Sequence, residues 1–272
     1  MADIRPFPGI RYAPGRAGEL AALISQPYDK VTPEMRAAYI AENDENFVRL
    51  ILPDSYDGSA ALCREWLDKG VLVKADRPAL YVYHQEFEAL GVRRVRKGFI
   101  AALRVDEFEK GTVLPHERTL SKAKADRMSL LKATQKDYEQ IFMLFSDPEL
   151  RVDRLLEPQG EPDLAATDEF GVAHRVWTVT DPDVIGKVRA ELADKVLLIA
   201  DGHHRYETAL NYRLGRESEG PVPADAALRF KTAAFVNVAD PGLVIFATHR
   251  LLANLETVDW DAKLAGIGRF FD

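Results

Sequence analysis

Short apolar runs alternate with helical patterns along most of the chain. Nearly continuous apolar residues predict strands at 46–52, 79–86, 93–104, 111–115, 141–145, 173–179, 196–200, 231–238 and 243–248. Apolar spacings of three and four predict helices at 33–42, 59–69, 182–192, 203–213 and 260–271, and one that starts at 126 and ends before 138, with shorter ones ending near 23 and over 224–229. Stretches with proline or glycine predict an irregular or extended segment at 4–14 and loops at 149–171 and 215–223.

Two turn signals indicate how some of these strands pair. Leu90-Gly91 joins two neighbouring strands, and Asp240-Pro-Gly242 joins two more, so both pairs should be antiparallel hairpins. The pattern therefore predicts a mixed α/β protein, α+β in part, with a partly antiparallel sheet and flanking helices. We expect an α/β region at 1–105, a second unit at 106–250 and the start of a truncated region at 251–272.

The stretch from Lys195 to Arg213 organises the rest of the chain. A buried strand, Val196 to Ala200, ends at Asp201-Gly202, and a helical pattern starts at His203. Such a turn directs free backbone N–H groups and the positive end of the helix dipole at one point, which suits a phosphate or carboxylate.

The side chains at this turn fit the same ligand. Gly202 lets a ligand approach the backbone or takes a positive φ, and Arg205 offers a planar fork to phosphate oxygens. His203 and His204 can donate to an anion, relay protons or bind a metal. Asp201 could hold magnesium or a polar substrate group. The alternative is that Asp201 only caps the helix and both histidines are structural.

A second polar cluster follows the predicted strand 111–115. His116, Glu117 and Arg118 come directly after Pro115, and the cluster continues with Lys122, Lys124, Asp126 and Arg127. Loops at strand ends commonly carry chemistry. The alternative is a solvated surface of mixed charge with i,i+4 pairs. If the strands before Pro115 and Asp201 are parallel, both clusters share one edge of the sheet and form one pocket.

Composition narrows the function classes. The 272 residues carry a formal net charge of −7, which argues against non-specific nucleic-acid binding. The single cysteine, Cys63, gives no disulfide framework and is consistent with a reducing cytoplasm. No apolar run approaches the roughly 20 residues needed to cross a bilayer, so no membrane partner is expected.

Two resemblances to known families follow from these motifs. The segment Ile199-Ala-Asp-Gly-His-His-Arg205 resembles the nucleotide-phosphate motif of the ParB/sulfiredoxin-like superfamily, and is closest to the Asp-Gly-His-x-Arg form of its free-serine kinases. The chain as a whole resembles the domain of unknown function 1015 family through five segments: Gln26–Asp29, Asn46–Pro53, Leu114–Thr119, Lys124–Arg127 and Asp201–Arg205.

The kinase resemblance implies a role for each candidate residue. It implies that residues 106–250 form a ParB/sulfiredoxin-like core that binds ATP or ADP with Mg²⁺ and phosphorylates a small hydroxyl compound such as free serine. Glu117 would be the catalytic base, with His116 and Asp201 also in the catalytic set. The residues expected to bind the nucleotide are Gly202, His203, His204, Arg205, Arg118, Lys124 and Arg127. Lys122 is a further candidate for neutralising the outer phosphate.

Two other functions remain open on the same residues. The phosphate site could belong to a nucleotide sensor or binding module, in which the ligand shifts a conformational equilibrium. A weaker alternative is a metal-dependent hydrolase built on His116, His203, His204 and Glu117. Adjacent histidines chelate poorly, because neighbouring side chains on a helix point about 100° apart. A homodimer is compatible with the sequence.

Overall fold

The computed structural model describes residues 1–13, 15, 20–119, 121–247 and 258–269, without the side chains of 121–123. The helices are α1 (Leu20–Leu23), α2 (Pro33–Glu42), α3 (Val48–Ile51), α4 (Tyr56–Asp68), α5 (Ser121–Thr134), α6 (Arg151–Leu155), α7 (Pro182–Ala193), α8 (His203–Glu219) and α9 (Trp260–Ile267). The strands are β1 (Ile4–Arg5), β2 (Ile10–Tyr12), β3 (Leu72–Lys74), β4 (Leu80–Ala89), β5 (Val92–Arg104), β6 (Val113–Leu114), β7 (Ile141–Phe145), β8 (Leu164–Thr167), β9 (Ala173–Val179), β10 (Leu197–Asp201) and β11 (Phe230–Asn237).

Among the described residues, nine strands form one mixed sheet, which confirms the predicted fold class. The strand order is β6-β10-β7-β11-β5-β4-β9-β8, with β1 antiparallel to β5. The pairs β6–β10 and β7–β11 are parallel, whereas β10–β7 and all pairs from β11 to β8 are antiparallel. Because β5 pairs with β11, the sheet crosses the predicted division between residues 105 and 106.

The β4–β5 hairpin forms as the sequence predicts. Ala89 faces Val92 across a two-residue loop. Leu90 and Gly91 both have positive φ, 55° and 72°. Positive φ at both loop positions matches the twist of the flanking strands. The hairpin is therefore set locally, by two residues.

Two apolar clusters hold the fold together. The larger lies between one face of the sheet and the helices α6, α7 and α8, with Phe99, Phe235 and Tyr206 among its fully buried side chains. The smaller joins β2, β3, α1, α3 and α4 around Leu23, Leu50 and Trp66. Burial of this apolar surface is the main favourable term in folding. None of the helices in the described part of the chain is both long and apolar enough to cross a bilayer.

Four sequence predictions of local structure are wrong. The expected strand at 46–52 contains the short helix α3 instead. The Asn46 side chain accepts the Val48 N–H at the start of this helix, and Val48, Leu50 and Ile51 are all buried. No strand occupies 243–247, and Thr248 lies outside the described residues. Helix α8 continues through Gly215 to Glu219, where a loop was expected. The expected loop at 149–171 contains α6 and β8.

The turn at 240–242 shows why the expected second hairpin fails. Asp240 accepts the backbone N–H groups of Lys97 and Gly242 at 2.6 and 2.7 Å. Gly242 lies so close to β5 that a Cβ there would stand 2.0 Å from the Val95 carbonyl oxygen. The turn is thus held against β5 by these contacts. Residues 243–247, which follow it, do not pair with β11, so the expected hairpin does not form there.

Candidate functional site

The two polar clusters of the sequence meet at one edge of the sheet. Strand β6 lies parallel to β10, with Leu197 opposite Val113 and Leu198 opposite Leu114. Both strands therefore end on the same side, where β6 leads to His116 and β10 leads to Asp201. The predicted convergence of these segments, 87 positions apart, is confirmed by a contact of 3.1 Å between the His116 backbone nitrogen and the His203 ring.

Helix α8 begins at this edge without a side-chain cap among the described residues. Its N-cap, Gly202, has φ 95°, a conformation that suits glycine. A Cβ at this position would also lie 3.0 Å from Nε of Arg205. The first turn of α8 contains no acidic residue, so its N–H groups and dipole keep their positive character. This arrangement favours an anion.

His203 lies inside the site. Its side chain is 1% exposed, Nε2 accepts the His116 backbone N–H, and Nδ1 lies 3.1 Å from Oε1 of Glu117. The His116 and His203 rings meet edge to face, with centroids 4.5 Å apart. Burial lowers the pKa of His203, against the opposing effect of Glu117, so the ring is neutral near pH 7. His203 thus ties the β6 loop to α8, and a role in binding phosphate stays a prediction.

Arg205 is oriented by two oxygen acceptors. Its guanidinium donates to the Asp201 carboxylate and to the backbone oxygen of Gln140, just before β7. The Arg205 side chain is 12% exposed and that of Asp201 is 62% exposed. The structure therefore does not use Asp201 as a cap for α8. Instead, the Asp201 carboxylate accepts from the Arg205 guanidinium, which the sequence analysis assigned to phosphate binding.

Lys124 and Glu207 form the next contact along the edge. Glu207 accepts from Nζ of Lys124 at 2.7 Å and from the Thr119 hydroxyl at 2.8 Å. Burial alone would raise the pKa of Glu207, but these two donors outweigh it and lower the pKa. Arg118 is exposed on the same loop. The expected cationic patch is thus partly neutralised by Glu207, which the sequence prediction missed.

Arg127 connects the N-terminal motifs to this edge. Its guanidinium donates to the Ile51 carbonyl at 2.9 Å, pairs with Asp126 at 2.6 Å and stacks 4.1 Å from the centroid of the Tyr28 ring. The Tyr28 N–H in turn donates to Glu139 at 3.2 Å. The Arg127 side chain is 6% exposed. Arg127 therefore links its own segment, Lys124–Arg127, to the segments Gln26–Asp29 and Asn46–Pro53. Its expected contact with an outer phosphate stays a prediction.

A buried lysine that the sequence prediction missed lies beside Arg205. Nζ of Lys231 bonds to the Asp137 carboxylate and the Glu139 carbonyl. Burial lowers the pKa of Lys231, and Arg205 adds to the effect, while Asp137 opposes it. The sequence around Lys231 does not predict that this side chain is buried and paired, because its partners, Asp137 and Glu139, lie 94 and 92 positions away.

The metal-dependent alternative finds little support in this geometry. Within the described residues, no group of three or more His, Cys, Asp or Glu side chains could hold a metal ion. The Nε2 lone pair of His203 is already used by the His116 amide. Mg²⁺ bound with a nucleotide is held largely by phosphates and waters, so this finding does not bear on a nucleotide complex.

Comparison with known proteins gives a family and no described activity. No curated protein and no solved structure matches the chain. A family model described as "Protein of unknown function (DUF1015)" matches residues 4–272, which include all five segments that suggested this relationship. The chain therefore belongs to the DUF1015 family.

Proposed function

We propose that this chain is a nucleotide-dependent phosphotransferase that acts on a small hydroxyl compound. The observation that carries the proposal is the position of Glu117, whose carboxylate lies 3.1 Å from Nδ1 of the buried His203 at the start of α8. A candidate general base thus stands beside a helix N-terminus that favours phosphate.

Phosphoryl transfer suits such a site because it depends mainly on positioning and charge neutralisation. The N–H groups of α8, the close approach at Gly202 and the Arg205 fork would hold the phosphates. Arg118, on the loop after β6, and Lys124, where it is released from Glu207, would add positive charge, and His204 in the first turn of α8 could donate a hydrogen bond. The resemblance of Asp201–Arg205 to the motif of ParB/sulfiredoxin-like serine kinases supports this division of roles and points to free serine as the first substrate to test.

Glu117 would accept the proton of the substrate hydroxyl. Its side chain is 51% exposed, so a substrate can reach the carboxylate, while Nδ1 of His203 lies 3.1 Å from it on the inner side. Asp201 is 62% exposed and would bind a polar substrate group, such as an amine. Mg²⁺ would enter with ATP or ADP and neutralise phosphate charge.

The second candidate, a nucleotide sensor, is favoured by a different observation. Arg205 is held by Asp201 and by the Gln140 carbonyl, so an incoming phosphate has to rearrange contacts between β7, β10 and α8. A ligand that binds one arrangement better than the other shifts the equilibrium between them. Such a protein would bind nucleotide without turnover.

One experiment separates the two candidates. Thermal unfolding with ATP, ADP, CTP and GTP, each with Mg²⁺, identifies the nucleotide that stabilises the fold by mass action. Radiolabelled γ- or β-phosphate of that nucleotide is then followed in the presence of serine and other small hydroxyl compounds. Transfer of label supports the phosphotransferase, binding without transfer supports the sensor, and no stabilisation by any nucleotide contradicts both.

A further inference from the structure

We propose that His203 is a positioning residue, held in its Nδ1–H tautomer by the His116 backbone amide so that it directs a proton at the Glu117 carboxylate. The tautomer follows from the structure alone. The consequence for catalysis rests on the proposed function.

The tautomer is fixed by the chemistry of the amide. A backbone N–H can only donate, so Nε2 of His203, 3.1 Å from the His116 nitrogen, must present its lone pair. The ring is 1% exposed, which disfavours the charged form. A neutral ring that accepts at Nε2 carries its proton at Nδ1.

Glu117 is the acceptor that this proton faces. Oε1 lies 3.1 Å from Nδ1, although the N–H is not aligned as a hydrogen bond with any described residue. A buried donor without an acceptor destabilises the folded protein. The Glu117 side chain is half exposed, so a small rotation can align it. The buried N–H therefore draws the carboxylate towards the start of α8.

The loop around Glu117 is fixed from the same side. Nε2 of His116 lies 3.3 Å from the Ala200 carbonyl, at the end of β10, and can donate to it when protonated there. The other titratable groups that act on His203 are Asp201 and Glu207 from β10 and α8. Both histidines therefore fix the position of the loop. His203 does so through its ring, and His116 through its ring and its backbone N–H.

Nitrogen NMR of the unliganded protein tests the tautomer directly. Long-range ¹⁵N–¹H correlations at pH 7 should show His203 protonated at Nδ1, with the signal assigned by its loss in His203→Asn. His174 is the internal reference with the opposite tautomer. Its Nε2 faces the Asp168 carboxylate, which can only accept, at 3.1 Å, so Nε2 should carry the proton and leave the Nδ1 lone pair to the Tyr83 hydroxyl at 2.6 Å. An Nε2–H or doubly protonated His203 would overturn the inference.

Kinetics test the positioning role. His203→Phe keeps a ring but removes the donor, and should lower kcat roughly 10- to 100-fold, the value of a hydrogen bond to a charged group, with KM unchanged. His203→Asn keeps an N–H donor and should recover part of the loss. Equal losses in the two variants, or a change confined to KM, would overturn the role.

The two proposals fail in different ways. If the wild-type protein transfers no phosphate, the proposed function fails, and the NMR result still decides the tautomer. If His203→Phe does not fold, as judged by circular dichroism, the NMR result and the comparison of His203→Asn with wild type remain decisive.

Discussion

Single residues at the sheet edge combine structural and candidate chemical roles. Arg205, Glu117 and Lys124 each contact a partner within the protein, namely Asp201, His203 and Glu207. Substitution at such positions removes a structural contact together with a candidate ligand contact. Each functional variant therefore needs a control variant in which a side chain of the same charge is removed from an ion pair outside the candidate site.

Glu117→Gln should separate binding from chemistry. The amide keeps the size of the side chain and can still accept from His203, but it cannot serve as a base. We expect nucleotide affinity to persist and phosphotransfer to fall by ~10²–10⁴-fold, as for a lost general base. Glu149→Gln is the control, because Glu149 is an exposed partner of Arg151 far along the chain. Unchanged transfer in Glu117→Gln would remove the catalytic role.

Arg205→Ala should weaken nucleotide binding. The loss of a charged hydrogen-bond donor is worth roughly 1.5–3 kcal/mol of affinity, which calorimetry can measure. Arg216→Ala on the same helix is the control, since Arg216 is half exposed and pairs with Glu219. Equal affinity in Arg205→Ala and the wild type would count decisively against an anion site at the start of α8.

At the scale of elements, the start of α8 and its interior should respond oppositely to the same substitution. Gly202→Ala places a Cβ against Arg205 at φ 95° and should destabilise the fold by about 1–3 kcal/mol. Gly215→Ala lies in the helix interior, where the new Cβ would meet no atom within 4 Å apart from its chain neighbours and the backbone of its own helix, and should stabilise the fold by about 0.5–1 kcal/mol. Urea unfolding of both variants measures the difference, and the same sign in both would contradict this account.

Local pattern predicted most elements but not their long-range partners. The strands at 141–145 and 173–179 and the helix start at Thr32-Pro33 follow from apolar runs and capping residues close in sequence. The run at 46–52 misled because buried helices and buried strands share one apolar pattern. Glu207, Glu139 and Lys231 gave no signal, since each acquires its role from a segment distant in sequence. The meeting of the two polar clusters was predictable only on the assumption of parallel strands.

For the whole molecule, stability should fall as the pH falls from about 7 to 5. Burial lowers the pKa of His203, and of His84 with help from Lys97, below the ordinary 6.5. The unfolded chain therefore binds protons in this pH range that the folded protein does not. Each of the two histidines lowers the free energy of unfolding by at most about 1.4 kcal/mol for each unit by which the pH falls. Urea unfolding at several pH values should show this slope, and His203→Asn should reduce it. Equal free energies of unfolding at pH 5 and 7 would contradict the prediction.

The loop that carries Glu117 is joined to the sheet through a very short strand, β6. Strand β6 has two residues, stands at the end of the strand order and pairs with β10 among the described strands. Short edge segments open locally at a small fraction of the global free energy. The contact between the Glu117 loop and the start of α8 can thus open while the rest of the sheet stays folded. The exchange rate of the His116 amide hydrogen, which is bound to His203, reports how often that happens, and a ligand that needs the assembled edge should slow it.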